Sequence, residues 1–429
     1  MEHESFGLTD PGAVREANED TILMDGELGL YIVCDGCGGE RAGAEASRLA
    51  TRVVQAAVRG HFDVLESYAA RPTVRRRVKA VELITAAINA ASKKVRETAA
   101  SDPARAGMGS TIVLLAVVGD NAVCAHAGDS RLYICRQGLV HRLTEDHNMA
   151  NRYVRMGLLS HRQAERSRSA AMITRVVGRH EEAHADTLHF ELVSGDAFLL
   201  CSDGLSKYLS DEEIAKVFQK VPAPQVPEQM VRIAKKRGGD DNISAVVVRT
   251  AGEPGDRGRD VFGRLQALQH VPLFRHLSFE ELLRVMDVAQ IEHHESSARI
   301  VAQGDPSDRL FVIAAGSVDV VRGAAVLAKL PAGSLFGEMG LIDEAPRSAD
   351  IIAAEPVRLM AVGRDDFFAL LRRERSLAVK VLWGLSCLLN DRLRSTSAKL
   401  SGTIGGAEPV APAARSKLDE LTDAIRPFV

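Results

Sequence analysis

Seven short apolar runs between Gly29 and Arg249 constrain this chain more than any other feature. They are LYIV (30–33), STIVLLAVV (110–118), NAVCAHA (121–127), RLYIC (131–135), TLHFELV (187–193), AFLLC (197–201) and NISAVVV (242–248). Their length and their β-branched and aromatic content mark them as strands. Longer amphipathic stretches at 44–58, 78–98, 211–220 and 227–236 read as helices. In the second, Val78, Val81, Ile84, Ile88 and Val95 recur on one face. VGDNA and CRQGLV have the composition of hairpin turns, so much of the sheet is antiparallel. The expected fold class is α+β, with two packed sheets flanked by helices.

A length of 429 residues exceeds one ordinary core. TAGEPGDRGRDVFG (250–263) is rich in glycine, proline and charge, and reads as a linker. The expected division is a first domain over 1–250, a linker over 251–270, a second domain over 271–395 and a low-complexity, disordered tail over 396–429. The second domain opens with a helix at 278–288, continues in short strands and closes with a helix at 376–394. A net charge of −3 favours neither nucleic acid nor an anionic membrane as partner. MEHESFGLTD lacks the basic and apolar regions of a signal peptide, and no apolar run approaches the ~20 residues that span a bilayer. Six scattered cysteines suit a reducing compartment. The expected location is cytoplasmic.

YIVCDGCGGE (31–40) raises the main chemical question. Either Cys34 and Cys37 form a metal or redox pair, or the functional residue is Asp35 between them. A single Cys-x-x-Cys with no second pair is weak support for zinc. Asp35 instead joins a set of five acid-bearing motifs: REANED (15–20), CDGCGG (34–39), AGDSR (127–131), CSDG (201–204) and GGDDN (238–242). Asp35 and Asp203 each end an apolar strand and precede glycine, which puts carboxylates at a sheet rim. Hard oxygen donors of this kind suit Mg²⁺ or Mn²⁺, and two such ions about 3.5–4 Å apart can activate water against a phosphate ester.

The ordered set, together with MGST (108–111) and TEDHN (144–148), resembles the metal-dependent serine/threonine protein phosphatases of type 2C over about residues 6–249. The resemblance implies a β-sandwich between helix pairs. It implies that Asp35 bridges two Mn²⁺ or Mg²⁺ ions with the Gly36 carbonyl as a further ligand, and that Asp203 and Asp241 complete one ion's protein shell. Glu19 and Asp20 would ligate directly or through water, and Asp129 would hold a weaker third ion together with Asp203. Arg15 stands where the family carries its phosphate-binding arginine. Cys37 stands where eukaryotic relatives carry a histidine presumed to be the general acid. His147 is a lone substitute candidate, although a structural role in its loop is the stronger reading. Residues 148–169 match the family's flap, and its Arg162, Arg166 and Arg168 either receive acidic protein or form a solvated face.

A second constellation lies in GSLFGEMGLIDEAPRSADIIAAE (333–355). Gly337 and Glu338 begin a short turn whose N–H groups can face a phosphate, and Arg347 can neutralise one. With PLFRHLSFEEL (272–282) and GDPSDRLFVIAAGSVDV (304–320), this segment resembles the cyclic nucleotide-binding domain of the catabolite activator protein and regulatory kinase subunits. The resemblance implies a β-barrel (jelly roll). Glu338 would bind the ribose 2′-hydroxyl, Arg347 the cyclic phosphate, and Gly337 and Ser348 would support them; cAMP is favoured over cGMP. In the last helix Ala378, Leu382, Leu385 and Leu389 form a stripe that covers its own barrel, acts as a nucleotide lid or pairs two copies.

The expected protein is a bacterial phosphoserine/phosphothreonine phosphatase with a fused cyclic-nucleotide sensor, a monomer or homodimer. Its partners would be phosphorylated proteins and a serine/threonine kinase. Two alternatives stay open at this point: a constitutive phosphatase with an inert docking barrel, and a non-enzymatic sensor or scaffold.

Overall fold

The computed structural model describes residues 1–160, 163–164, 167–341 and 345–404. The chain divides into two compact units, the first made of Met1–Val154 and His161–Gly258, the second of Arg155–Ser160 and the chain from Arg259 onward.

The first unit holds two five-stranded sheets. One runs in the order His3–Asp10, Ile243–Thr250, Ala197–Cys201, Arg131–Arg136, Leu139–Arg142; the other in the order Asp186–Glu191, Asn121–Ala127, Ile112–Val118, Leu30–Cys34, Thr21–Asp25. Every pairing is antiparallel. Leu30, Ile32 and Cys34 pack with Ala46, Val54, Ile84 and Ile88 of the helices Glu40–Gly60 and Val74–Ala100. On the opposite flank Leu199, Cys201 and Val247 pack with Ile214, Phe218 and Met230 of Asp211–Lys220 and Val226–Lys236. The alternate residues Tyr31, Val33, Val113, Phe198 and Val246 are buried as well. Strands covered on both faces carry unbroken apolar runs, which is why they read so clearly in the sequence. The strands His3–Asp10, Thr21–Asp25 and Leu139–Arg142 were not expected; they lie at sheet edges and are only partly buried. Val78, expected on the buried face of its helix, is 46% exposed, whereas Ile84, Ile88 and Val95 are buried as expected.

The stretch read as a linker contains a helix, Asp256–His270. Val261, Leu265 and Leu268 recur at helical spacing and are buried. Asp260 pairs with Arg358 at 2.6 Å and with Arg264 at 2.9 Å. Glycine and charge dominated the composition, but three apolar contacts and this ion cluster determine the local structure.

The second unit opens with the helix Phe279–Val288, started by a capping box between Ser278 and Glu281. Two four-stranded antiparallel sheets follow, in the orders Ala289–His294, Val357–Gly363, Arg309–Ala315, Leu335–Phe336 and Arg299–Val301, Asp350–Ala353, Ser317–Arg322, Ala325–Pro331. They enclose Phe311, Ile313, Val318, Ile351 and Leu359. Among the described residues the strands make two sheets of jelly-roll type and no closed barrel. The last helix, Arg375–Ile404, is longer than expected and includes residues 396–404, assigned to the tail; residues 405–429 lie outside the described residues. Its buried face is Leu377, Val381 and Gly384, while Leu382 and Leu389 of the expected stripe are exposed. Gly384 sets the contact: a Cβ there would stand 2.3 Å from the Leu273 carbonyl oxygen. No described helix is long and apolar enough to cross a membrane.

Candidate functional site

The acids of the first unit gather where the central strands end. Asp35 directly follows Leu30–Cys34, Asp203 follows Ala197–Cys201 by one residue, Asp20 precedes Thr21–Asp25, and Asp241 lies just before Ile243–Thr250. Asp129 stands in the turn between Asn121–Ala127 and Arg131–Arg136. Loops at strand ends are free to present polar groups because the strands behind them carry the fold.

Backbone and hydroxyl contacts fix these positions. The Asp35 N–H donates to Thr111 Oγ1 at 3.0 Å, and its carbonyl accepts from the Thr111 N–H at 2.8 Å. Asp20 Oδ2 accepts from Ser202 Oγ at 2.8 Å and Ser244 Oγ at 2.6 Å. Asn242 accepts the Glu19 N–H at 2.8 Å and donates to the carbonyls of Pro11 and Ala17, which ties the 11–19 loop to the rim. Glu19 lies so close to the helix Glu40–Gly60 that a Cβ on Gly43 would be 1.8 Å from its Oε2. Gly36 sits on a two-residue strand, Gly36–Cys37, paired with Gly109–Ser110.

The electrostatics of this cluster are unbalanced. Burial, then the charges of Asp20, Asp203, Asp129 and Asp241, hold the Asp35 carboxyl well above the usual carboxylate range. Asp20 and Asp129 are each pushed up to about 7, chiefly by burial, with Asp203 adding to both. Asp203 is raised by burial and by Asp241. Asp20 Oδ1 and Asp129 Oδ1 are buried with no hydrogen-bond partner. Buried carboxylates that repel one another and keep unsatisfied oxygens fit divalent cations. No three of these acids close into a cage with ligand atoms within 4.8 Å of one another. That openness suits Mg²⁺ or Mn²⁺, which keep several waters.

Arg15 stands beside the acids. Its Nε lies 3.1 Å from Asp241 Oδ1 and its Nη2 3.1 Å from Asp241 Oδ2, a two-pronged contact at half-exposed side chains. The two cysteines do not form a site together. Cys34 is buried in the helix-facing core, its thiol pushed up to about 12, and all six cysteines are free. Burial raises the Cys37 thiol as well, partly opposed by Arg179.

His147 is not aimed at the acids. It is buried, lies 3.3 Å from the Gly128 N–H through Nδ1 and 3.0 Å from Asp186 through Nε2, and stacks on His126 at 4.4 Å. His126, His147 and Asp186 are the only described grouping with metal-like spacing, but Arg175 Nη1 already occupies it, 2.5 Å from Asp186 Oδ1 and 3.0 Å from His147 Nε2. In the flap, Arg168 is exposed, while Arg162 and Arg166 lie outside the described residues.

The structure therefore brings together Asp20, Asp35, Asp129, Asp203 and Asp241 with Arg15 and Glu19 at one rim. Sequence reasoning missed their supports: Gly43, Ser202, Asn242 and Ser244. Only Asn242 and Ser202 carried a signal, as neighbours of the aspartates in their motifs.

In the second unit Gly337, Glu338, Arg347 and Ser348 line one cavity of about 280 Å³, with Val301, Val320, Leu330 and Phe336 forming apolar wall. Glu338 is buried and begins the single 3₁₀ turn Glu338–Leu341. Arg347 donates from Nη2 to the Arg309 carbonyl at 2.7 Å, yet its Nε and Nη1 are buried without partners. Burial pushes its pKa down, opposed by nearby Asp308. Gly337 has φ +82°, and a Cβ there would meet Arg347 Nη1 at 2.5 Å and the Arg309 carbonyl at 2.8 Å. A buried guanidinium with free donors is a socket for an anion. Residues 342–344, in the same cassette, lie outside the described residues.

Comparison with known proteins matches two family models: protein phosphatase 2C over residues 14–247 and cyclic nucleotide-binding domain over residues 291–374. Protein phosphatase PhpP of Streptococcus pneumoniae is 33% identical over 246 residues, 56% of this chain and 95% of the relative. Among solved structures, the serine/threonine phosphatase of S. agalactiae is 34% identical, covering 58% of this chain and all of that one, with a TM-score of 0.50. The Mycobacterium tuberculosis serine/threonine phosphatase PstP/Ppp is 28% identical, covering 58% of this chain and 99% of that one, with a TM-score of 0.51.

Proposed function

Because the chain belongs to the protein phosphatase 2C family and carries a cyclic nucleotide-binding domain, we propose that it is a Mn²⁺- or Mg²⁺-dependent phosphoserine/phosphothreonine phosphatase whose turnover responds to a cyclic nucleotide. Asp35 would be shared by two ions, with the Gly36 carbonyl as a further ligand. Asp203 and Asp241 would complete the protein shell of one ion, Glu19 and Asp20 would ligate directly or through water, and Asp129 with Asp203 would hold a weaker third. When bound, such ions supply Lewis-acid activation of water and neutralise phosphate charge. The observation that carries this reading is the pair of buried, unpartnered oxygens on Asp20 and Asp129 inside a cluster of mutually repelling carboxylates.

The chain's own contribution is orientation. Arg15 offers a planar fork that matches two phosphate oxygens. Thr111, Ser202, Ser244 and Asn242 hold the acids and the 11–19 loop in place, so little reorganisation accompanies substrate binding. The Cys37 thiol keeps its proton at neutral pH but is a weak acid, so the leaving alkoxide takes its proton from water.

In the second unit Arg347 is assigned to the cyclic phosphate and Glu338 to the ribose 2′-hydroxyl, with Gly337 and Ser348 shaping the socket. cAMP is the first ligand to test and cGMP its comparator. The proposed substrates are proteins phosphorylated on serine or threonine, with a serine/threonine kinase as a further partner, in the cytoplasm. Turnover of a phosphothreonine peptide tests the assignment: activity should vanish in chelator and return with Mn²⁺. Full activity in chelator would remove the metal mechanism.

A further inference from the structure

Arg15 has two anionic partners available and one guanidinium. Its fork engages Asp241 through both oxygens, Nε to Oδ1 and Nη2 to Oδ2, each at 3.1 Å. Asp241 Oδ1 also accepts the Asn242 N–H at 3.0 Å. The charge of Asp241 is the largest influence stabilising the Arg15 cation, and Glu19 and Asp35 add to it. A guanidinium does not discharge in a protein, so Arg15 must choose between carboxylate and phosphate.

We infer that Arg15 and a divalent cation compete for Asp241, and that cation binding releases the fork to the substrate phosphate. This rests on the assignment of Asp241 as a metal ligand. A cation on Asp241 draws the same lone pairs toward itself and cancels the charge that holds Arg15. The pair is suited to exchange because its side chains are 52% and 40% exposed, and exposed ion pairs are weak. Arg15 is thus a positioning residue that couples metal occupancy to phosphate capture. By linkage the coupling is reciprocal: whatever the cation adds to phosphate affinity, phosphate adds to cation affinity.

The test needs no turnover. Mn²⁺ binding to the full chain is measured by isothermal titration in the absence of substrate for the wild type, Arg15→Ala and Arg15→Lys. Competition predicts that Arg15→Ala binds Mn²⁺ about two- to fivefold more tightly, the strength of an exposed pair. Arg15→Lys, which keeps the charge but cannot make two parallel bonds, should gain part of that increase. In an Asp241→Asn background, Arg15→Ala should change nothing, because the contested carboxylate is gone. Equal or weaker Mn²⁺ binding by Arg15→Ala would overturn the exchange while leaving the metal assignment intact. A lysine variant indistinguishable from wild type would also overturn it, reducing the effect to simple charge repulsion. If the wild type binds no Mn²⁺, the metal assignment itself fails and takes the exchange with it.

Discussion

The two units bury charge of opposite sign. The first gathers Asp20, Asp35, Asp129, Asp203 and Asp241, and leaves carboxylate oxygens buried without partners. The second buries Arg347 and leaves two of its N–H donors unmatched. In both places burial works against the charged form, raising the acids and lowering the guanidinium. On the proposed assignment each charge meets its counter-ion from outside, a cation in one unit and an anion in the other. The contrast teaches that an unsatisfied buried charge indicates what a site takes, and that its sign separates a metal centre from an anion socket.

Loss of an acid should be the most damaging change. Asp35→Asn removes the carboxylate at the middle of the cluster, and turnover of a phosphothreonine peptide should fall by more than about 10²-fold, since even outer-shell losses at metal sites cost ~10–100-fold. The same variant should titrate with cAMP like the wild type. If nucleotide binding were abolished alongside turnover, the variant would have lost more than one carboxylate, and its inactivity would say nothing about the metal site. Arg347→Ala makes the reverse cut. Losing two charge-assisted hydrogen bonds should weaken cAMP binding by roughly 10²-fold in calorimetry. Retained affinity would show that the anion is held elsewhere.

Packing offers a smaller effect confined to the second unit. Gly384→Ala forces a Cβ against the Leu273 carbonyl and should destabilise that unit by about 1–2 kcal/mol. In thermal unfolding the transition of the first unit should stay in place; a shift there instead would contradict the separation into two units. The smallest effect is expected at Cys37. Cys37→Ser should slow phosphoserine peptide and p-nitrophenyl phosphate alike, by less than about threefold, because a weak acid contributes little of the ~10²–10⁴-fold that acid catalysis can give. A selective loss on phosphoserine would make the thiol a proton donor.

Most of the fold of the first unit was legible because its strands are buried on both faces, so that runs such as 112–118 carry no polar interruption. Edge strands such as Thr21–Asp25 were illegible for the converse reason: half-exposed residues lack a clear period. The helix Asp256–His270 was obscured by its glycines and charges, and only Asp260, Val261, Leu265 and Leu268 in their three-dimensional setting explain it. At the sites, acids and Arg347 were legible from their motifs. Gly43 and Ser244 were not, because each acts through close approaches to residues distant in sequence. The stripe at Leu382 and Leu389 misled, since helical periodicity reveals an apolar face but not which face meets a neighbour; Leu377, Val381 and Gly384 do.

Coupling between the two sites is tested most directly by one rate. Phosphothreonine-peptide turnover is measured at saturating Mn²⁺ with and without saturating cAMP, then cGMP, after binding of each has been established by calorimetry. Couplings of ~1–3 kcal/mol are typical, so a change of at least about fivefold is predicted for the nucleotide that binds, and it should be absent in Arg347→Ala. An unchanged rate with nucleotide bound would contradict regulation and leave the second unit a docking module.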